Sequence, residues 1–201
     1  IKNTRTSLIY KLSTAAEFKD EETSAHTRRV ALYAEVIAEG LGLAPAETEA
    51  LVLVAPMHDV GKIGIPDRII QKPGRLDADE FETIKQHTLI GYNIRHDPDN
   101  DLLQKAALVA RDHHEKWDGS GYPGGTAGEA ISLEGRILAV VDVFDALTSR
   151  RPYKEPWPVD QAEAHLRENA GGHFDPALVE LFTGSMPRVL EIHHAYREEG
   201  E

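Results

Sequence analysis

Helical periodicity in this 201-residue chain puts imidazoles and carboxylates where apolar side chains belong. Val30, Tyr33, Ile37 and Leu41 form one stripe, and stepping back by fours reaches His26 and then Glu22. Phe81, Ile84, Gly91 and Ile94 flank His87 at the same spacing. Two parallel rows, Leu102-Ala106-Val109 and Leu103-Ala107-Ala110, run into His113 and His114. Asp142 interrupts the otherwise apolar run 137–144, and a further apolar helix ends in Met57-His58-Asp59. No arginine or lysine is visible on the stripe of Glu22 and His26. A lone buried histidine is usually a satisfied core residue, and a lone acid on a helix is usually solvated. Five histidines and two aspartates delivered inwards by five helices need a common explanation, because unpaired buried charge is costly. A shared cation supplies one.

Imidazole and carboxylate without sulfur suit divalent transition metals: iron, manganese, nickel, cobalt or zinc. The donors exceed what one ion needs. Two or three ions, with Asp59 bridging beside His58, is the economical arrangement.

The elements that must position these residues read as helices over 5–19, 22–40, 46–59, 77–97, 101–114, 132–150, 158–170, 175–183 and 185–198. No run alternates as a half-buried strand does. Asp77 with Glu80 has capping-box spacing, and Ser132 with Glu134 gives a second start signal. Two loops stand out: 60–66, and the glycine-rich 115–130. The expectation is an all-α fold with the metal site in a helix-bundle core. Residues 20–201 are expected to form the functional domain and 1–19 a helix that would connect to an upstream partner, since the chain starts at Ile1 and not Met.

Composition narrows the classes. Twenty-two basic against thirty-four acidic residues give a net charge of −12, which argues against polymeric nucleic acid as a partner. Cysteine is absent, which excludes disulfides, thiolate metal sites and a cysteine nucleophile. The longest apolar stretch, 51–57, is far short of the ~20 residues of a membrane span. With no signal peptide visible, a cytoplasmic location is expected. Of the ten histidines, His96, His165, His193 and His194 read as surface residues.

His58-Asp59, together with the segment from His113-His114-Glu115 to Gly121-Tyr122-Pro123, resembles the HD-GYP family of phosphodiesterases. This is a branch of the HD superfamily of metal-dependent phosphohydrolases. The likeness runs over residues 15–183 and includes the order and spacing of the motifs. It implies metal ligation by His26, His58, Asp59, His87, His113, His114 and Asp142, with Glu22 at the acidic position that accompanies a third metal in some members. It implies a catalytic role for Asp59 and Lys62, and substrate contacts from Lys62, Tyr122, Arg151 and Lys154. Asp145, in the same motif as Asp142, is expected to support and not to ligate. The implied reaction is hydrolysis of cyclic di-GMP to the linear dinucleotide and on to GMP. An upstream receiver or sensor domain and a homodimer would accord with the family. Two other readings stay open: a cyclic-dinucleotide sensor without turnover, and a phosphohydrolase acting on another cyclic dinucleotide.

Overall fold

The computed structural model describes residues 11, 19, 24–95, 99–150 and 155–196. The expected helix over 5–19 therefore lies outside the described residues but for Lys11 and Lys19. In chain order the α-helices are α1 (Ser24–Gly40), α2 (Pro45–Val54), α3 (Asp67–Ile70), α4 (Ala78–Arg95), α5 (Asp101–Asp112), α6 (Leu133–Thr148), α7 (Val159–Glu168), α8 (Pro176–Gly184) and α9 (Met186–Ala195). Shorter 3-10 turns occupy Ala55–Met57, Val60–Gly64 and Gly128–Ala130. Among the described residues there is no strand, only an isolated bridge between Ala170 and Phe174. The fold is all-α.

α1 and α6 are the central pair. α1 packs against α2, α6, α8 and α9, while α6 also contacts α5, α7 and α8. Tyr33 of α1, Phe144 of α6 and Phe182 of α8 meet edge to face, with ring centroids 5.1 to 5.8 Å apart. Each such pair adds about 0.5–1.5 kcal/mol beyond the area it buries. α4 lies outside this layer, against α5 and the Val60–Gly64 turn.

Two glycines allow that close approach. A Cβ on Gly61 would overlap the His87 carbonyl oxygen and come 2.5 Å from the Gly91 nitrogen. One on Gly91 would come 2.8 Å from the Ala110 Cβ. The turn, α4 and α5 thus meet through backbone and small side chains.

Both expected start signals are present. Asp77 Oδ1 accepts from the Glu80 N–H and Glu80 Oε2 from the Asp77 N–H, each at 2.9 Å, a reciprocal capping box. Ser132 Oγ accepts from the Gly135 N–H at 3.2 Å. Asn100 and Asp175 cap α5 and α8 as well.

Three expectations need correction. The helix expected over 46–59 ends at Val54, because Pro56 has no N–H to give and its ring crowds the carbonyl one turn back. The chain tightens into 3-10 turns there, and α3 adds a short helix after Pro66. Phe81 and Ile94 are exposed, although His87 and Gly91 on the same helix are buried. The elements covering α4 reach only its middle. His193 is buried, 8% exposed, with Nδ1 3.4 Å from the Tyr33 hydroxyl, and is no surface residue.

Candidate metal centre

Two groups of donors converge between α1, α4, α5, α6 and the turn after α2. Asp59, His87, His113 and His114 each offer an atom within 4.8 Å of the others. His26, His58 and Asp142 form a second such group. Asp59 lies between the two. Its Oδ1 is 3.3 Å from His87 Nε2 and 3.6 Å from His113 Nε2, whereas its Oδ2 is 3.3 Å from His58 Nε2. On the far side, Asp142 Oδ1 lies 3.8 Å from His26 Nε2 and 3.9 Å from His58 Nε2.

Backbone geometry sets which imidazole nitrogen faces inwards. His58 Nδ1 lies 3.0 Å from the Ala55 carbonyl, and His87 Nδ1 2.6 Å from that of Ile84. His113 Nδ1 is 3.1 Å from two carbonyls, those of Val109 and Ala110. His26 Nδ1 is 2.8 Å from Asp145 Oδ2. With acceptors on that side, the proton is assigned to Nδ1 in all four, and the Nε2 lone pair is left to the centre.

Those lone pairs then oppose one another. His87 Nε2 and His113 Nε2 are 3.3 Å apart, and both face Asp59 Oδ1, which is buried and accepts no hydrogen bond. Three electron-rich atoms converging in a buried space repel unless a cation joins them. The residue set therefore fits a multi-metal site.

Burial keeps His87 and His114 neutral, the ligating form. It pushes His87 down to about 4, against the pull of Asp59 and with help from His113. His114 is held well below its ordinary value, first by burial and then by His113 and His87. Burial opposes ionisation of Asp59, but the Lys62 ammonium and then His58 outweigh it and hold the carboxyl well below its usual range. Lys62 Nζ is 2.7 Å from Asp59 Oδ2, on the turn that Gly61 seats against α4.

Asp145 is a support and not a member of either group. Arg29 and Asp145 are both 0% exposed. Arg29 Nε donates to Asp145 Oδ1 at 2.6 Å and Nη2 to Oδ2 at 2.9 Å, and further bonds reach Ser149 Oγ and the Tyr196 carbonyl. Burial would raise the Asp145 pKa, but hydrogen bonds from His26 and Arg29 bring it to about 2. A fixed carboxylate behind His26 locks the ring's tautomer and direction. Arg29, one turn on from His26, is the basic residue that the stripe reading overlooked. Its burial is visible only once Asp145 is placed beside it.

The glycine-rich loop folds back onto this centre. Glu115, itself buried, accepts from the Gly124 N–H at 2.6 Å and the Thr126 N–H at 3.0 Å. The Tyr122 N–H donates to the His114 carbonyl at 3.2 Å, and a Cβ on Gly121 would come within 2.6 Å of that same oxygen. The Tyr122 ring consequently lies 4.7 Å from that of His114. Burial, and then the Asp59 charge, push its phenol pKa up, so the hydroxyl keeps its proton. The role of Glu115 is hidden in the sequence, because a glutamate beside a histidine pair gives no sign of which backbone it will hold.

Seven of the eight expected metal-binding residues are thus brought together. The eighth, Glu22, and the expected substrate contacts Arg151 and Lys154 lie outside the described residues.

The sequence profile of the HD domain family matches residues 11–178. The chain belongs to that family, and His58-Asp59 with Gly121-Tyr122-Pro123 put it in the HD-GYP branch. Among its relatives is a 3'3'-cGAMP-specific phosphodiesterase of Vibrio cholerae, 46% identical over 96% of this chain and 37% of the relative. A cyclic di-GMP phosphodiesterase response regulator of Xanthomonas campestris is 46% identical over 92% of this chain and 49% of its own length. A cyclic di-GMP phosphodiesterase of Thermotoga maritima is 42% identical, with 94% and 51% covered. The chain spans about half the length of these relatives or less. In three dimensions it resembles a cyclic GMP-AMP phosphodiesterase of V. cholerae, with a TM-score of 0.68 over 92% of this chain and 50% of the other, at 20% identity. Among the described residues no helix is long and apolar enough to cross a membrane.

Proposed function

We propose that this domain is a metal-dependent phosphodiesterase that opens cyclic di-GMP to the linear dinucleotide and cleaves that onward to GMP. The observation supporting it is the Asp59 carboxylate set between two donor groups, with Lys62 beside it at 2.7 Å. His26, His58, Asp59, His87, His113, His114 and Asp142 would hold two divalent transition metals, iron or manganese in first place, and Glu22 a third. When bound, such ions supply a water-derived nucleophile at neutral pH and draw charge from the phosphate.

The chain's own residues do the rest. Asp59 links the two groups, so its loss disrupts both. Lys62, desolvated and held in place by Asp59, meets the charge that develops on the reacting phosphate. Tyr122, protonated, donates a hydrogen bond from the loop above His114. Arg151 offers a planar fork to the second phosphate and Lys154 a point charge. The net charge of −12 keeps polymeric nucleic acid away, while the bound cations reverse the sign locally for a small dinucleotide.

A second reading, cleavage of the mixed dinucleotide 3'3'-cGAMP, is favoured by the relatives named for that substrate. The experiment is reconstitution with iron(II) or manganese under reducing conditions. Metals per chain are counted, and cyclic di-GMP and 3'3'-cGAMP are offered in parallel. Two or more metals with conversion of cyclic di-GMP is the expected result. Conversion of 3'3'-cGAMP alone assigns the second reading, and full metal loading with a dinucleotide bound but left intact makes the domain a sensor.

A further inference from the structure

α4 carries Phe81 and Lys85 one turn apart on one face, beside the tip of the glycine-rich loop. Phe81 is 48% exposed and lies outside the hydrophobic core. Its ring stands 6.2 Å from that of Tyr122, nearly perpendicular to it, and Tyr122 in turn leans over His114. Lys85 Nζ is paired with Glu82 Oε1 at 2.5 Å and lies over both rings, 5.5 Å from the Phe81 centroid and 5.8 Å from the Tyr122 centroid. A series of rings thus leads outwards from the metal centre and ends in the half-exposed Phe81, with the Lys85–Glu82 pair against it. The core does not need Phe81 there, since the helix is anchored by Gly91 and His87.

We propose that Phe81, Lys85 and Tyr122 form a nucleobase subsite that selects guanine, an inference resting on the cyclic-dinucleotide reading above. An exposed ring takes a stacked base regardless of its identity. Lys85 supplies the discrimination. Its ammonium has three donors and no acceptor, and Glu82 takes one of them. Guanine presents two adjacent acceptors, O6 and N7, on one edge, whereas adenine presents N7 beside an amino donor. A base stacked on Phe81 with that edge towards Lys85 is welcomed as guanine and opposed as adenine. Phe81 stands two rings out from His114, and the ribose of one nucleotide bridges such a gap between base and phosphate. One guanine of the dinucleotide rests here while its phosphate lies at the metals.

Hydrolysis-resistant phosphorothioate analogues of cyclic di-GMP and cyclic di-AMP test this by calorimetric titration into metal-loaded protein. The wild type should bind the guanine analogue at least about tenfold more tightly. Phe81→Ala should weaken that binding about tenfold, with Phe81→Trp restoring it. Lys85→Met should reduce the preference for guanine over adenine to less than about threefold while metal content stays the same. Unchanged affinity in Phe81→Ala, a preference surviving in Lys85→Met, or a wild type that binds neither analogue would each overturn the subsite. Because the analogues bind without turnover, the two readings fail separately. A wild type that selects the guanine analogue but leaves cyclic di-GMP intact contradicts the phosphodiesterase and upholds the subsite. A wild type that cleaves cyclic di-GMP, with Phe81→Ala unimpaired in binding, does the opposite.

Discussion

Asp59 and Lys62 sit 2.7 Å apart, yet their loss should look different. Asp59→Ala removes the carboxylate that belongs to one donor group and faces His58 of the other, so metal content and turnover should fall together. Lys62→Ala removes a charge that holds no metal, so the metal count should stay while kcat falls about a hundredfold. Elemental analysis beside steady-state kinetics separates the cases, and near-wild-type kcat in the lysine variant would remove Lys62 from the reaction. Asp145 tests the support behind His26. Asp145→Ala leaves the Arg29 guanidinium buried without its carboxylate, which should cost about 3–5 kcal/mol in denaturant unfolding. Metal affinity should also fall about 10–100-fold as His26 loses its fixed tautomer. A loss below about 1 kcal/mol would mean that Arg29 finds water or another acceptor.

At the scale of elements, the centre depends on how closely the 3-10 turn, α4 and α5 approach. Gly61→Ala forces a methyl into the His87 carbonyl. It should destabilise by about 1–3 kcal/mol, the range for overpacking, and lower metal content with it. Gly184→Ala is the comparison, since a Cβ at that helix end meets nothing within 4 Å. It should leave melting temperature and metal content unchanged or slightly improved. Equal effects from the two would show that backbone approach is not what seats Lys62 and His87. Much at this scale was legible in the sequence. The apolar rows that run into His113 and His114 are a signal of period, and period survives folding because α5 is buried along that face. The capping box at Asp77 and Glu80 is local chemistry and needs no tertiary knowledge. The exposure of Phe81 and Ile94 was not legible, because a stripe says which face of a helix is apolar and not how much of it a neighbour covers. The burial of Arg29 and of His193 is hidden in the sequence for a related reason. A polar side chain's burial depends on a partner more than a hundred residues away, Asp145 for Arg29 and Tyr33 for His193.

The whole molecule is tied together by its site. Donors come from α1, α4 and α6, from the turn after α2, and from the residues that close α5, so ions binding there bind only the folded arrangement. Metal at a hundredfold excess over its Kd should raise global stability by about 2.7 kcal/mol. Chelation should therefore lower the melting temperature of the whole domain in one transition, and readdition should restore it. A melting temperature indifferent to chelation would mean that the elements are held without the ions. If these ions serve hydrolysis of a cyclic dinucleotide, turnover must come and go with the metal. Cyclic di-GMP is incubated with chelated protein and with protein reloaded with iron(II) or manganese under reducing conditions, and the products are separated by chromatography. Linear dinucleotide and GMP should come from the reloaded protein and none from the chelated one. Intact cyclic di-GMP recovered after incubation with a fully loaded protein would contradict that role for the ions.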